Sequence, residues 1–188
     1  MLPSVSLTDG VVTLRPLRAD DAVSMYEAVR ESLEELKPWL SWAHDGYARW
    51  ETRDWVTIAA ARWTAGTYFG FAITDSKNGR FLGGCSLSHI HPIYQFCNLG
   101  YWIRTTQRGR GFAVRAARLG ARFGIERLNL VRVEIVISVD NRASLRVAHK
   151  LGAHREGILR NRLVVGREVR DAVMYSLLPS DFGLAARL

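Results

Sequence analysis

The feature that most constrains the fold is a glycine-rich turn between a predicted strand and a predicted helix. Residues 96–103 place two different sets of side chains on alternate sides, as a strand requires. Residues 112–123 carry apolar side chains at helical spacing, and arginines take another face of the same helix. The turn between them contains Gly109 and Gly111. The segment therefore predicts a strand, a turn and a helix in that order.

Such a turn can bind an anion. The first N–H groups of a helix have no partner inside it, and the positive end of the helix dipole lies behind them. Glycine lets these groups approach a phosphate closely, and Arg108 and Arg110 add positive charge. A purely structural turn is an equally good interpretation of the turn alone. A dinucleotide-binding turn is disfavoured, because Val114 stands where its third glycine would be, and no Lys-Ser/Thr pair of a nucleotide triphosphate loop follows.

The segment after this helix predicts a second buried strand. Residues 131–139 alternate and are rich in β-branched side chains. A strand, a crossover helix and a strand over this length form a parallel pair. The centre of the chain is therefore expected to hold two parallel strands.

Two motifs in this region resemble those of the GNAT superfamily of N-acetyltransferases. Arg108-x-x-Gly111-x-Ala113 is similar to the acetyl-coenzyme A signature of the family and lies, as there, between a strand and a helix. About thirty residues later, Asn141-x-x-Ser144 opens a short predicted helix that ends in Leu-Gly, like the next element of the family.

Two N-terminal segments, residues 14–17 and 36–42, resemble the Rim-type branch, which acetylates protein N-termini, including those of ribosomal proteins. The resemblance runs from about residue 11 to about residue 178. It implies an α/β fold: a mixed, mostly antiparallel sheet with a central splayed parallel strand pair and flanking helices. We expect one domain over residues 1–188, acetyl-coenzyme A (acetyl-CoA) as co-substrate, no metal, and a homodimer.

The same resemblance assigns site residues. Trp39 and Trp42 are expected to form a wall of the acceptor cleft, and core packing is the alternative for these side chains. Asn141 is expected to cap its helix, to contact the cofactor, or both. The residues assigned to cofactor binding are Trp102, Ile103, Arg104, Arg108, Gly109, Arg110, Gly111, Phe112, Ala113, Asn141 and Ser144.

The catalytic groups are less well defined. Ser144 is the candidate acid for the leaving thiolate, by resemblance. Asn98 and Leu163 stand where relatives carry glutamate as a base, and neither side chain can take up a proton. A neutral α-amine and a chain of waters could suffice, because the reference pKa of an α-amine is about 7.7 to 8.0. The candidate side-chain bases are His89, Glu34 and Glu35.

The remaining segments predict further helices and strands. Residues 47–64 predict a helix with Trp55, Ile58, Ala59 and Trp63 facing inward. Residues 67–74 and 80–89 predict a hairpin that turns at Asn-Gly, with a bulge or close backbone approach at Gly83-Gly84 and His89 and His91 on one face. Residues 155–165 and 168–178 predict two more strands.

Composition narrows the class of protein. The chain has 188 residues and a formal charge of +8, from 26 Lys and Arg against 18 Asp and Glu. Most of the excess positive charge comes from arginines after Arg104 in the sequence. These arginines could bind a polyanionic cofactor, attract the ribosome or simply form a solvated surface. Cys85 and Cys97 are expected to be buried and reduced. No apolar run is long enough for a membrane span, and a cytoplasmic location is expected.

The predicted function is acetyl transfer from acetyl-CoA to a protein N-terminal amine by direct attack in a ternary complex. A small-molecule amine or an aminoglycoside is the alternative acceptor, and the basic balance of the chain disfavours it mildly. A non-catalytic acyl-coenzyme A sensor is a further alternative, because carboxylates are missing at the expected positions. Nucleic-acid binding is the weakest alternative, since the arginines cluster at the turn and do not interleave with aromatic residues.

Overall fold

The computed structural model describes residues 5–185, which form one eight-stranded sheet with helices on both faces. The strands are β1 (Leu7–Thr8), β2 (Val12–Pro16), β3 (Phe69–Asp75), β4 (Phe81–His91), β5 (Phe96–Ile103), β6 (Arg132–Ser138), β7 (His154–Val165) and β8 (Glu168–Leu177). The helices are α1 (Asp21–Glu31), α2 (Leu33–Leu36), α3 (Arg49–Thr64), α4 (Phe112–Arg127) and α5 (Arg142–Leu151), and short 3-10 turns occupy Thr105–Gln107 and Pro179–Phe182.

The strand order is β1-β2-β3-β4-β5-β6-β8-β7. Neighbouring strands are antiparallel except β5 and β6, which are parallel and are connected by α4. The fold class predicted from the sequence, a mostly antiparallel sheet with a central parallel pair, is therefore confirmed.

The sheet separates two hydrophobic cores. One core lies between the sheet and helices α4 and α5, and it contains the fully buried side chains of Leu14, Leu87 and Leu99. The other lies under α1 and α3 and contains Val29 and Ala72. Because strand side chains alternate, each central strand presents one set of residues to each core.

A bulge in β4 brings that strand very close to β5. Ile73 pairs with Gly83, whereas Thr74 pairs with Phe81, so Leu82 is the extra residue. A Cβ at Gly83 would lie 2.0 Å from the carbonyl oxygen of Trp102. The close approach predicted at Gly83-Gly84 is confirmed, and only glycine fits there without movement of β5.

Two local predictions were wrong. The helix expected from Tyr47 begins at Arg49, and its buried side chains include Val56, Ala59 and Trp63, whereas Ile58 is 43% exposed. Of the four side chains predicted to face inward, Ala59 and Trp63 are buried, whereas Trp55 and Ile58 line a pocket described below. The regular alternation expected at His89 and His91 is interrupted, because the pairing shifts after Ser88 and His89 has φ of 52°.

Cys85 and Cys97 are both buried and free, as predicted. Burial raises the pKa of each thiol to about 12, so both are protonated at neutral pH. Within residues 5–185, no helix is long and apolar enough to cross a membrane. The same residues contain no group of three or more His, Cys, Asp or Glu side chains arranged to hold a metal ion.

Candidate active site

The parallel strands β5 and β6 separate along half of their length. They pair only at Phe96 with Arg132, Cys97 with Val133, and Asn98 with Glu134. Beyond this point β5 continues to Ile103 beside β4, and β6 continues to Ser138 beside β8. The two strands therefore leave a strand gap, bounded by residues 99–103 of β5 and 135–138 of β6.

Backbone groups point into the strand gap from both sides. The N–H of Arg104 donates to the carbonyl of Leu82 on β4 at 2.8 Å. Alternate residues of a strand share a direction, so Trp102 and Gly100 also face β4, whereas Leu99, Tyr101 and Ile103 face the gap. The gap is thus lined by unpaired strand edges that an extended ligand could join.

The glycine turn, residues 104–113, lies at the open end of the gap. Gly109 and Gly111 have φ of 76° and 79°, and a Cβ at either would meet nothing within 4 Å. Six successive N–H groups, those of residues 109–114, have no acceptor among residues 5–185. Arg108 differs, because its N–H donates to the carbonyl of Thr105 at 3.2 Å. This cluster of free donors at the start of α4 suits a phosphate group.

One carboxylate fixes the near side of the glycine turn. Glu31, at the end of α1, accepts from the guanidinium of Arg104 and from both the N–H and the hydroxyl of Thr106, at 2.9 and 2.8 Å. The N–H of Thr105 donates to the hydroxyl of Ser32 at 2.9 Å. Chiefly through the Arg104 hydrogen bond, the pKa of Glu31 is lowered to about 2. These hydrogen bonds therefore connect the glycine turn to the end of α1.

Arginine side chains surround the free donors. Arg108 lies 3.8 Å from the carboxylate of Glu35, and both side chains are about half exposed. Arg110 lies over the ring of Phe112, with 5.1 Å from its guanidinium carbon to the ring centre. Because neither contact is buried, both arginines can turn toward an anion at little cost.

Two hydroxyl groups meet on the α5 side of the gap. Ser144 donates to the hydroxyl of Tyr101 at 3.1 Å, and the Tyr101 hydroxyl donates to the Ser144 carbonyl at 3.3 Å. Asn141 caps α5 by accepting from the Ser144 N–H at 3.0 Å, as one of the two predicted interpretations requires. Burial raises the pKa of Tyr101 to about 12, so this hydroxyl keeps its proton and can donate it in a hydrogen bond.

The opposite side of β5 borders a large pocket, which we call the aromatic pocket. Its volume is about 640 Å³. The floor is formed by β4 and β5 at Ser86, Gly100 and Trp102, and the walls come from α3 and from residues 40–47. Asn98 faces the same side of the sheet, and its Oδ1 is buried with no partner among the described residues.

Three titratable side chains of the pocket wall are hydrogen-bonded or close in sequence. The Nε2 atom of His44 lies 2.9 Å from Oε2 of Glu51, and Oε1 of Glu51 accepts from the N–H of Ala48 at 2.8 Å. Although burial acts to raise it, these two hydrogen bonds lower the pKa of Glu51 overall. Asp54 lies three residues further along α3. The pocket wall therefore carries two carboxylates that can bind a cation.

The structure separates some residues that the sequence grouped together. Trp42 lines the aromatic pocket, whereas Trp39 packs against Arg170 of β8, with 5.4 Å from the guanidinium carbon to the ring centre. The backbone and side chain of Arg104 bond within the protein and so support the turn. Trp102 contributes its ring to the pocket, while its backbone faces β4.

The candidate bases of the sequence analysis lie outside the aromatic pocket. His89 is exposed, near the closed end of the β5–β6 pair, and its Nδ1 atom lies 3.1 Å from the hydroxyl of Ser88. Glu34 pairs with Lys37, and Glu35 faces the glycine turn. Leu163 lies on β7 opposite Arg170.

Sequence reasoning missed His44, Glu51, Asp54 and Tyr101. For α3 a signal was present, since Trp50, Asp54 and Ile58 recur every four residues and mark a second face of the predicted helix. For Tyr101 no local signal exists, because its partner Ser144 comes from an element 43 residues later.

Comparisons with known proteins agree with this geometry. A family model described as an acetyltransferase (GNAT) domain matches residues 12–154. The chain is 28% identical over 176 residues to a Bacillus subtilis (strain 168) protein named "Putative ribosomal N-acetyltransferase YdaF", covering 91% of this chain and 93% of that protein.

Two further relatives cover similar lengths. The ribosomal protein uS5-alanine N-acetyltransferase of Escherichia coli (strain K12) is 23% identical over 185 residues, covering 96% of this chain and 94% of that protein. The structure of Mycobacterium smegmatis RimJ in complex with CoA-disulfide is 25% identical with a TM-score of 0.82, covering 97% of this chain and 90% of that one. The chain belongs to the GNAT acetyltransferase family, is an acyltransferase, and has Rim-type ribosomal-protein acetyltransferases among its relatives.

Proposed function

We propose that the protein transfers the acetyl group of acetyl-CoA to a primary amine, specifically the α-amine of a protein N-terminus, by direct attack in a ternary complex. The observation that carries the proposal is the two-sided strand gap. Free N–H donors lie at the open end of the gap, and the hydroxyl pair of Tyr101 and Ser144 lies on its α5 side. The aromatic pocket borders the opposite side of β5.

The glycine turn is the proposed diphosphate site. The N–H groups of Gly109 to Ala113 would bind the phosphate oxygens, and Arg108 and Arg110 would balance the charge. The backbone of Tyr101 and Ile103 would pair with the extended arm as a strand does. Asn141 and Ser144 remain proposed contacts, while Trp102 and Arg104 act here through the pocket and through support of the turn.

The reaction joins the amine nitrogen to the acetyl carbon and breaks the carbon–sulfur bond. Backbone N–H groups that face the gap would stabilise the developing charge on the carbonyl oxygen. The proton lost by the amine would pass toward His44, Glu51 or Asp54, since these titratable groups line the pocket from which the amine arrives. The leaving thiolate would take its hydrogen bond or proton from the pair of Ser144 and Tyr101.

The proposal includes a cytoplasmic location and, as the Rim-type resemblance implies, a homodimer. Ribosomal proteins are proposed acceptors because relatives at 23% to 28% identity carry that activity or assignment in their names.

The test is thiol release from acetyl-CoA with a panel of N-terminal peptides and, in parallel, a panel of small amines and aminoglycosides. We expect turnover with peptides whose α-amine is free and none with the same peptides after N-terminal acetylation. Binding of acetyl-CoA without turnover on any amine would establish the sensor alternative. Turnover confined to small amines would replace the protein acceptor.

A further inference from the structure

The aromatic pocket is larger than a small first residue requires. Nine of its lining residues are aromatic, and its volume is about 640 Å³. Trp42 and Tyr47 come from the loop after α2, Trp50 and Trp55 from α3, and Trp102 from β5. A serine or alanine at the start of a peptide could touch only a small part of such a surface.

The aromatic rings of the pocket pack against one another. Trp42 lies between Tyr47 and Trp102, with ring centres 6.0 and 6.2 Å away. Trp55 meets Tyr68 edge to face, with 5.3 Å between ring centres. These contacts fix the positions of the rings around the pocket.

Part of this apolar surface is open to solvent. Trp50 is 61% exposed and Ile58 is 43% exposed, and both side chains line the pocket. Exposed apolar surface of this kind is favourable only when a partner covers it. A flat apolar group of the acceptor would cover it, whereas a small side chain would leave it in water.

The negative charge of the pocket wall is complementary to a protonated amine. Glu51 and Asp54 line it, and no lysine or arginine does among the described residues, although the chain carries 26 of them. Aromatic faces also attract cations. A positively charged acceptor is therefore favoured here even though the protein as a whole is basic, which reverses the mild inference from composition against cationic substrates.

We propose that the acceptor is a cationic amine that carries a large, flat apolar group, and that the aromatic pocket selects for that group. This inference rests on the proposed acetyl transfer and names its acceptor class. Two sources share the chemistry: a peptide whose first residue is phenylalanine, tyrosine or tryptophan, and a free arylalkylamine. Trp50 and Ile58 at the pocket mouth, and Asp54 beside them, are the specificity-determining residues.

The experiment compares peptides that differ only in their first residue. With acetyl-CoA saturating, kcat/KM is measured for peptides beginning with tryptophan, phenylalanine, alanine or serine, and for tryptamine and phenylethylamine. We expect the aromatic peptides to exceed the serine peptide by at least about tenfold, because a few buried methylene-sized groups already contribute that much. The two free amines decide between the sources.

Matched variants separate the pocket from general effects. Trp50→Ala should reduce the preference for aromatic peptides to about twofold or less, through a higher KM for those peptides. Asp54→Asn should raise KM for every amine in the panel. Ile93→Ala removes an apolar side chain that is 79% exposed and lies outside the pocket, so the preference should persist.

The outcomes distinguish this inference from the proposed function. Equal or better turnover of the serine and alanine peptides would overturn the selection for a flat group and leave acetyl transfer established. A preference that survives Trp50→Ala would also overturn it. Absence of turnover with every amine, despite bound acetyl-CoA, would instead overturn the proposed function.

Discussion

The glycine turn follows the end of β5, the aromatic pocket borders one face of the same strand, and the two are built in opposite ways. The turn offers main-chain N–H groups, and its geometry depends on two glycines within three residues of each other. The pocket offers side chains from α1, α3, the loop before α3 and three strands, β3, β4 and β5. The turn should therefore tolerate many side-chain changes but few changes of backbone shape, and the pocket should behave in the reverse way.

The largest effect is expected where a charge enters the turn. Gly111→Asp should weaken acetyl-CoA binding by about a hundredfold or more, because a carboxylate would face the diphosphate at a cost of several kcal/mol. Gly111→Asn is the matched control, since Asn has the same shape and also tolerates positive φ. Isothermal calorimetry should show a much smaller loss for Asn, and equal losses for both variants would mean that charge is not what the turn recognises.

A smaller effect is expected where the turn is fastened to α1. Glu31→Gln should raise KM for acetyl-CoA by about tenfold and lower the free energy of unfolding by about 2 kcal/mol, because a charged hydrogen-bond acceptor is lost. Glu156→Gln is the matched control: Glu156 also has its pKa lowered to about 2, chiefly by a hydrogen bond from Arg132, but it lies at the closed end of the β5–β6 pair. It should lose stability and keep its affinity for acetyl-CoA.

The pH dependence of Glu31 has a definite sign. Its pKa falls from 4.5 to about 2 in the folded protein, so its stabilisation is complete above pH 4.5 and is lost as the pH falls toward 2. Urea unfolding of the wild type and of Glu31→Gln should therefore converge between pH 4.5 and 2. A difference that stays constant over this range would show that the carboxylate charge is not the source of the stability.

Substitution of the hydroxyl pair tests whether side chains on the α5 side of the gap contribute to the reaction. Tyr101→Phe and Ser144→Ala should each lower kcat by about five- to tenfold and leave KM for acetyl-CoA unchanged, since a thiolate with a pKa near 8.5 needs little acid help. Each variant removes one hydroxyl, and the Ser144 N–H that Asn141 caps is retained. A rise in KM without a fall in kcat would assign the pair to binding.

The smallest effect is expected at His89. Because this side chain is exposed and lies on β4 beside the paired part of β5 and β6, outside the aromatic pocket, His89→Ala should change kcat/KM by about twofold at most at any pH between 6 and 9. His44→Ala is the comparison, and it should lower kcat/KM for the amine. A loss of kcat/KM at His89 that matched the loss at His44 would contradict the proposal that the amine proton passes to groups of the aromatic pocket.

The same contrast explains what the sequence could predict. The turn is a local feature, so Gly109, Gly111 and the cap at Asn141 could be inferred from a few adjacent residues. The pocket brings together residues as distant as Trp42 and Trp102, and no short pattern records that they meet. Trp39 and Trp42 look equivalent in sequence, yet the loop turns one toward the pocket and the other toward Arg170.

The direction in which each backbone N–H group points was the other feature that the sequence could not predict. Ile103 and Arg104 are adjacent, but the N–H of Arg104 is committed to β4 while that of Ile103 faces the gap. That difference depends on the bulge at Leu82 and on the register of three strands, which residue types do not specify.

The contact of Glu31 with Arg104 and Thr106 has a practical consequence for engineering. A chimera that exchanged only the N-terminal helices for helices without a carboxylate at position 31 would leave the guanidinium of Arg104 without its partner, at a place where Arg104 is 9% exposed. Segments 21–44 and 104–113 therefore form one transferable block. Attempts to redirect this enzyme to a new acceptor by exchanging its N-terminal helices should therefore exchange both segments together.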